Sequence, residues 1–269
     1  YTFDGIIHFA AHKSVNESVN YPEKYFSNNV GSLENIIAEI KLLENPINFI
    51  FSSSCTVYGQ ADSMPINESF PLKKAESPYG ESKKMCEEIL KKINNSNQSF
   101  KNITLRYFNP IGAHPTGLIG ELPIGNPENL VPYMTQTAIG KRDFLSVFGD
   151  NYKTKDGTCI RDYINIMDLA EVHIACLEKL IAVEDENFFK IYNVGTGKGT
   201  SVFELINLFE NVNDIKLNYK IGDRRKGDVI SAYADTTKIK EELSWSTKYS
   251  LENALKSAWN WELNLNKDE

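Results

Sequence analysis

Apolar positions along the chain fall into two textures. Residues 5–10, 48–54 and 102–108 are short, nearly continuous apolar runs of strand length, rich in isoleucine and phenylalanine. Between them the spacing turns helical. Leu33, Ile36, Ile37, Ile40 and Leu43 predict a helix over 28–43, and Cys86, Ile89, Leu90 and Ile93 predict one over 78–93. Strand, helix, strand, helix, strand is the order of parallel βαβ units. Strands covered by helices on both faces read as unbroken apolar runs rather than as alternation.

Beyond Asn109 the texture changes. Pro110, Pro115, Pro123 and Pro127 are interleaved with Gly112, Gly117, Gly120 and Gly125, which predicts a long irregular segment over 110–130. Shorter elements follow: a helix over 131–140, a strand over 145–148, a helix over 168–180, a strand over 191–194, and helices over 201–209 and 251–263. The chain therefore divides into residues 1–109, built on a parallel sheet, and a mixed α/β region over 110–269 that returns some segments to that sheet. Gly195, Gly197 and Gly199 lack the spacing of a phosphate-binding loop, and Ser201 follows as an N-cap, so this run reads as a strand-to-helix turn.

Composition narrows the function. The 269 residues carry a net charge of −7 and a pI near 5.3, which argues against a broad nucleic-acid or anionic-membrane surface. An anionic ligand must then be met by a few local arginines and by helix N-termini. The apolar runs fall short of membrane-span length and no leader is visible, so the chain is expected in the cytoplasm. Cys55, Cys86, Cys159 and Cys176 are scattered, and the four histidines lack ligand spacing, so no metal is expected. The chain opens on Tyr1, one turn before a core strand, and is expected to lack its natural N-terminus.

Ser77-Pro78-Tyr79-Gly80-Glu81-Ser82-Lys83 carries the first chemical signal. Ser77 can cap a helix whose first position suits Pro78. Tyr79 and Lys83, four residues apart, share one helix face. A phenol is a poor base at neutral pH, but a neighbouring ammonium and a cationic nicotinamide would favour phenolate. By itself the spacing fits an ordinary surface helix equally well. The run Phe49-Ile50-Phe51-Ser52-Ser53-Ser54 adds hydroxyls at the carboxyl end of a buried strand, where open α/β sheets bind ligands. A serine there can relay the proton of a reacting alcohol, or merely cap a turn.

Ser52 to Gly59, the Ser77–Lys83 segment and Leu105-Arg106-Tyr107-Phe108-Asn109-Pro110-Ile111-Gly112-Ala113-His114-Pro115 resemble the UDP-glucose 4-epimerases of the extended short-chain dehydrogenase/reductase family. The likeness continues, in order, through Gly157-Thr158-x-x-Arg161-Asp162-Tyr163-Ile164, Asp168-Leu169-Ala170 and Arg224-Arg225-Lys226-Gly227-Asp228. It implies a Rossmann-type doubly wound parallel sheet whose first βαβ unit is absent here, with a smaller mixed α/β substrate-binding domain. It implies a bound NAD that is not consumed, and a homodimer formed through the helices over 28–43 and 78–93. Their apolar stripes suit packing on the sheet equally.

The resemblance also implies roles. Tyr79 is the catalytic base, Lys83 its electrostatic partner and Ser54 the hydroxyl relay. Phe9, Ala10, Ala11, His12 and Lys13, with Asn28 and Phe108, join Ser54, Tyr79 and Lys83 against NAD. Asn109, Asn129, Leu130, Ser146, Val147, Phe148, Arg161, Arg225, Asp228 and Ala232 hold the UDP-sugar, together with Ser54 and Tyr79. Read without the family, Lys13 is a solvated loop lysine, Asn28 a helix-start cap, and Arg161 and Arg225 surface ion-pair partners.

Three departures stand out. The Gly-rich dinucleotide fingerprint of the family belongs before Tyr1. Ala232 stands where some relatives carry a tyrosine beside the sugar, which leaves room for a 2-acetamido group and extends the expected substrates to UDP-N-acetylhexosamines. Asn165 replaces a frequent histidine, without consequence for the chemistry. A 4,6-dehydratase would carry an Asp-Glu pair where Cys55-Thr56 stands. An epimerase or decarboxylase acting on uronates, or a non-catalytic nucleotide sensor on the same fold, are the competing readings.

Overall fold

The computed structural model describes residues 3–43, 47–96, 100–225 and 228–267. In chain order its strands are β1 (Gly5–His8), β2 (Asn48–Ser54), β3 (Lys101–Tyr107), β4 (Asn109–Ile111), β5 (Leu145–Phe148), β6 (Ile160–Arg161), β7 (Tyr163–Asn165), β8 (Phe189–Val194), β9 (Thr200–Ser201), β10 (Tyr219–Gly222) and β11 (Ser231–Ala232). The helices are α1 (Val15–Asn20), α2 (Pro22–Tyr25), α3 (Gly31–Ile40), α4 (Pro78–Asn95), α5 (Leu130–Ala138), α6 (Ile166–Ala182), α7 (Val202–Asn213), α8 (Thr237–Leu243) and α9 (Leu251–Leu265). A π-helical turn, Phe26–Val30, leads into α3, and a 3₁₀ turn, Cys55–Tyr58, follows β2.

The chain forms two compact units. The first comprises residues 1–107, 171–194 and 235–246; the second comprises 108–170, 195–234 and 247–269. The first is built on a parallel sheet in the order β1-β2-β3-β8. Phe49 and Phe51 of β2 turn one face towards Val30, Leu33, Ile37, Cys86, Leu90 and Phe100, all buried. The apolar stripes of α3 and α4 are therefore taken up by the sheet, with Ile36, Ile40, Ile89 and Ile93 packing at the margin.

The expected single helix over 28–43 is not what forms. The π-helical turn occupies 26–30 and α3 stops at Ile40. The wider turn keeps Phe26, Val30, Leu33 and Ile37 on the core side, so the stripe alone does not reveal it. Ahead of it, α1 is capped by Ser14, whose hydroxyl accepts from Glu17 N at 2.9 Å. In α2, Pro22 stands in the first turn.

The second unit has its own core, in which Val131 and Met134 of α5, Leu145 and Val147 of β5, Leu205, Ile206 and Phe209 of α7, and Leu255 of α9 meet. After β4 no regular element forms before α5 among the described residues, in line with the density of proline and glycine. Ser201 caps α7 through a capping box with Glu204, as its place before the apolar repeat predicts. The Gly195–Gly199 run is shaped by the buried Asp162 carboxylate, which accepts from Thr196 N at 2.8 Å, Gly197 N at 3.0 Å and Ala234 N at 3.1 Å. A Cβ on Gly195 would come within 2.4 Å of that carboxylate, so only glycine fits.

Candidate functional site

The hydroxyl-rich end of β2 sets the chemistry of the first unit. Ser54 is the last residue of the strand and the N-cap of the 3₁₀ turn. Its Oγ accepts from Thr56 N at 3.3 Å and from Thr56 Oγ1 at 3.0 Å. Ser77 caps α4 by accepting from Gly80 N at 3.2 Å, with Pro78 in the first position. A Cβ on Gly80 would stand 3.0 Å from Thr56 O and 3.1 Å from Ala75 Cβ. Glycine there lets the first turn of α4, which carries Tyr79, close onto the 3₁₀ turn that Ser54 caps.

Lys83 lies one turn further along α4, is 4% exposed, and directs its ammonium to Ser52 O at 2.7 Å. The ammonium also stands 4.9 Å over the Phe51 ring. Without a cofactor, burial dominates the charges of both Tyr79 and Lys83. Burial pushes the Tyr79 phenol up to about 12, and the neighbouring Ser54 hydroxyl offsets only part of that. Burial also lowers the Lys83 ammonium to about 8, against the opposing pull of Cys86 and Glu87. With its ammonium bound to a carbonyl of β2, Lys83 does not bring the phenol down by itself.

The loop after β1 carries Phe9, Ala10, Ala11, His12 and Lys13. Phe9, Ala10 and Lys13 are exposed, and Ala11 and His12 partly so. Asn29 ties this loop to α4: it accepts from His12 N at 2.8 Å, and its amide donates to His12 O at 3.0 Å and Ser82 Oγ at 3.1 Å. Asn28 sits within the π-helical turn and donates to Asn29 Oδ1 at 3.0 Å, so it is not the helix-start cap of the family-free reading. A hollow of about 660 Å³ is lined by His12, Lys24, Asn28, Gly31 and Ser32 among others. A dinucleotide fits these residues chemically. They present an exposed loop at a parallel strand's carboxyl end, an amide, a lysine and hydroxyls.

Apart from Ser54 and Tyr79, which lie in the first unit, the residues expected to hold the sugar nucleotide fall in the second unit, as does the buried Phe108. Arg161 on β6 reaches Asp228 at 3.4 Å and its own neighbour's carbonyl, Ile160 O, at 2.9 Å. The Arg225 guanidinium stacks 3.9 Å over the Phe148 ring, which is 37% exposed. Ser146 is partly exposed on β5, whereas the Val147 side chain is 1% exposed and part of the core, leaving it only a main-chain role. Asn129 precedes α5 and donates to Glu121 at 2.8 Å, and Leu130 opens that helix. Asn109 opens β4, and its N–H bonds Asp162 O at 2.9 Å. Ala232 pairs with Arg161 across β11 and β6. Lys226 and Gly227 of the arginine motif lie outside the described residues.

Sequence reasoning passed over Glu87 and Arg106. Their side chains are 4% and 3% exposed and pair at 2.6 Å. The signal was available: a carboxylate on the apolar face of α4 beside Cys86 and Leu90, and an arginine inside the apolar run of β3. A buried charge implies a buried partner.

No helix among the described residues is long and apolar enough to cross a membrane. Residues 1–258 match the family described as GDP-mannose 4,6 dehydratase. The chain is 48% identical over 257 residues to the UDP-glucose 4-epimerase of Pasteurella multocida, covering 96% of this chain and 75% of that protein. The crystal structure of the Stenotrophomonas maltophila UDP-glucose 4-epimerase, with bound NAD and formylated UDP-arabinopyranose, superposes with a TM-score of 0.94 at 38% identity, over 99% of this chain and 78% of that one. The UDP-Glc/GlcNAc 4-epimerase of Campylobacter jejuni gives 0.79 at 38% identity, over 97% of this chain and 78% of that one. Sheet order, motifs and relatives agree: the chain belongs to the UDP-glucose 4-epimerase family.

Proposed function

We propose that this chain interconverts UDP-glucose and UDP-galactose by inverting C4 through transient oxidation with bound NAD. The observation that carries the reading is the packing of the first turn of α4, which carries Tyr79 and the buried Lys83 on one face, against the 3₁₀ turn that Ser54 caps at the carboxyl end of β2. Tyr79 takes the proton of the C4 hydroxyl, with the Ser54 hydroxyl as relay. NAD, when bound, supplies a hydride acceptor that later serves as donor, and a positive charge that favours the Tyr79 phenolate. Loss of the hydroxyl proton and of the C4 hydride leaves a 4-keto sugar. Return of the hydride to the opposite face of C4, and of the proton to the C4 oxygen, completes an isomerisation with no net redox change. Lys83 holds its ammonium against Ser52 O and would also bond the nicotinamide ribose of a bound NAD.

Phe9 to Lys13, Asn28 and Phe108 would line the cofactor, so residues 1–109 form the NAD-binding part and 110–269 the main part of the UDP-sugar domain. Arg161 and Arg225 would meet the diphosphate, since a guanidinium makes paired bonds to phosphate oxygens. Asp228 would accept from a ribose hydroxyl. Cys55-Thr56, with Thr56 Oγ1 bonded to Ser54 at 3.0 Å, supplies no carboxylate for elimination. A cytoplasmic location suits the four free thiols. A homodimer would have to use faces of α3 and α4 other than the stripes already on the sheet.

Tyr79→Phe tests the base. In the NAD-loaded enzyme kcat should fall by about 10²- to 10⁴-fold while the protein keeps its NAD; undiminished epimerisation refutes the assignment. The small Ala232 side chain, 6% exposed, extends the reading to UDP-N-acetylhexosamines. Ala232→Tyr should cut turnover of UDP-N-acetylgalactosamine about tenfold more than that of UDP-galactose. Equal effects on the two sugars would sink the extension.

A further inference from the structure

Behind the hydroxyl-rich strand end of the first unit lies a closed set of polar contacts that the chemistry above does not use. Glu87 Oε1 accepts from Ser53 Oγ at 2.6 Å. Arg106 clamps the same carboxylate, with Nε 2.9 Å from Oε1 and Nη2 2.6 Å from Oε2. Arg106 Nη1 donates to the Tyr58 hydroxyl at 2.7 Å, and that hydroxyl donates to Asn193 Oδ1 at 2.8 Å. Asn193 in turn donates to Ile66 O at 2.9 Å. Ser53, Tyr58, Glu87, Arg106 and Asn193 are each buried to 4% exposure or less.

The places where these contacts end are telling. Glu87 stands one turn beyond Lys83 on α4. Ser53 precedes Ser54 on β2 and pairs with Arg106 across the ladder to β3. Tyr58 closes the 3₁₀ turn that Ser54 caps. The contacts thus grip the chain on both sides of Ser54, and they grip α4 at the face that carries Tyr79 and Lys83. A buried ion pair is a poor source of net stability, since well-packed apolar residues often do as well or better. Its directional bonds, by contrast, hold two elements in register. Proton transfer between Tyr79, Ser54 and a sugar hydroxyl depends on heavy-atom distances near hydrogen-bond length, and misplacement by about 1 Å costs on the order of 10²-fold in rate.

We propose that the Glu87–Arg106 pair, acting through the Ser53 hydroxyl and the Tyr58 phenol, is a positioning device that sets Ser54 at its working distance from Tyr79. None of these residues is catalytic in this role. The inference rests on the assignment of Tyr79 and Ser54 as base and relay.

Ser53→Ala is the informative variant, because it cuts the link from Glu87 to β2 and leaves the ion pair whole. Glu87→Gln would strand the Arg106 charge and confound misfolding with misplacement. For the NAD-loaded full chain, Ser53→Ala should lower kcat about tenfold while KM for UDP-galactose, NAD content and the thermal midpoint stay at wild-type values. A wild-type kcat overturns the proposal. A kcat that falls only together with the thermal midpoint or the NAD content overturns it too, because the role is then structural. Tyr79→Phe runs alongside. If it is inactive and Ser53→Ala is fully active, only the positioning role fails; if it retains full activity, the base assignment fails and takes the positioning role with it.

Discussion

In the first unit Ser54 and Lys83 are nearly shut away from water, whereas in the second Arg161, Asp228 and Arg225 keep contact with it. Ser54 and Lys83 are 8% and 4% exposed, and the Arg106–Glu87 pair behind them is clamped by several bonds of 2.6–3.2 Å. In the second unit the Arg161 and Asp228 side chains are 16% and 30% exposed and meet at a loose 3.4 Å. Arg225 lies on the half-open Phe148 ring. The contrast follows from the two tasks. Groups that stabilise a transition state work best when fixed beforehand in a water-poor setting. Groups that bind a diphosphate must exchange their resting partners for phosphate oxygens, and weak, partly hydrated contacts make that exchange easy.

Paired substitutions can break this comparison. Arg106→Met leaves the Glu87 carboxylate buried without its counter-charge, and should destabilise the fold by about 3–5 kcal/mol. Arg161→Met removes a long, partly hydrated pair, and should cost no more than about 1 kcal/mol of stability. It should instead weaken UDP binding about tenfold, through loss of a charge-assisted bond. Chemical denaturation of both variants, with UDP titrated calorimetrically into the second, checks the contrast. Equal losses of stability would show that the two pairs are not held differently.

The same contrast explains what could be read from the chain. An apolar run located β2 to the residue, because a fully covered strand has little freedom in its pattern, and the short β5 was read at its observed bounds. Cap chemistry located the starts of α4 and α7 at Ser77 and Ser201. Strands β6, β9 and β11 went unread because two residues carry no period. The π-helical turn went unread because it leaves the apolar stripe in place. At the site, Tyr79, Lys83 and Ser54 were legible as a spacing and a strand end, but Glu87 and Arg106 were not. Their meaning lies in a contact between positions 19 residues apart on different elements, and only the fold makes that contact. Spacing puts Lys83 on the same face as Tyr79 but cannot say where its ammonium points, and it points at Ser52 O.

The subtlest consequence of enclosing the first unit's site is a dependence on pH. His8, at the carboxyl end of β1, is 5% exposed and packs its ring between those of Phe49 and Phe51, at 6.1 and 5.9 Å. Burial first, and the Lys83 charge second, lower its pKa from 6.5 to about 4. The folded chain therefore keeps His8 neutral at pH values where the unfolded chain has already taken up a proton. Unfolding binds a proton in that window, so stability falls as the pH drops from 6.5 towards 4, and is fully present above 6.5. The loss should be on the order of 2 kcal/mol by pH 4. His8→Gln should flatten this part of the stability profile measured by urea denaturation between pH 4 and 7, while Arg161→Met should leave its slope unchanged. If His8→Gln keeps the wild-type slope, the acid sensitivity does not originate in the enclosed site. The distinction between a closed chemical half and an open binding half would then lose its thermodynamic support.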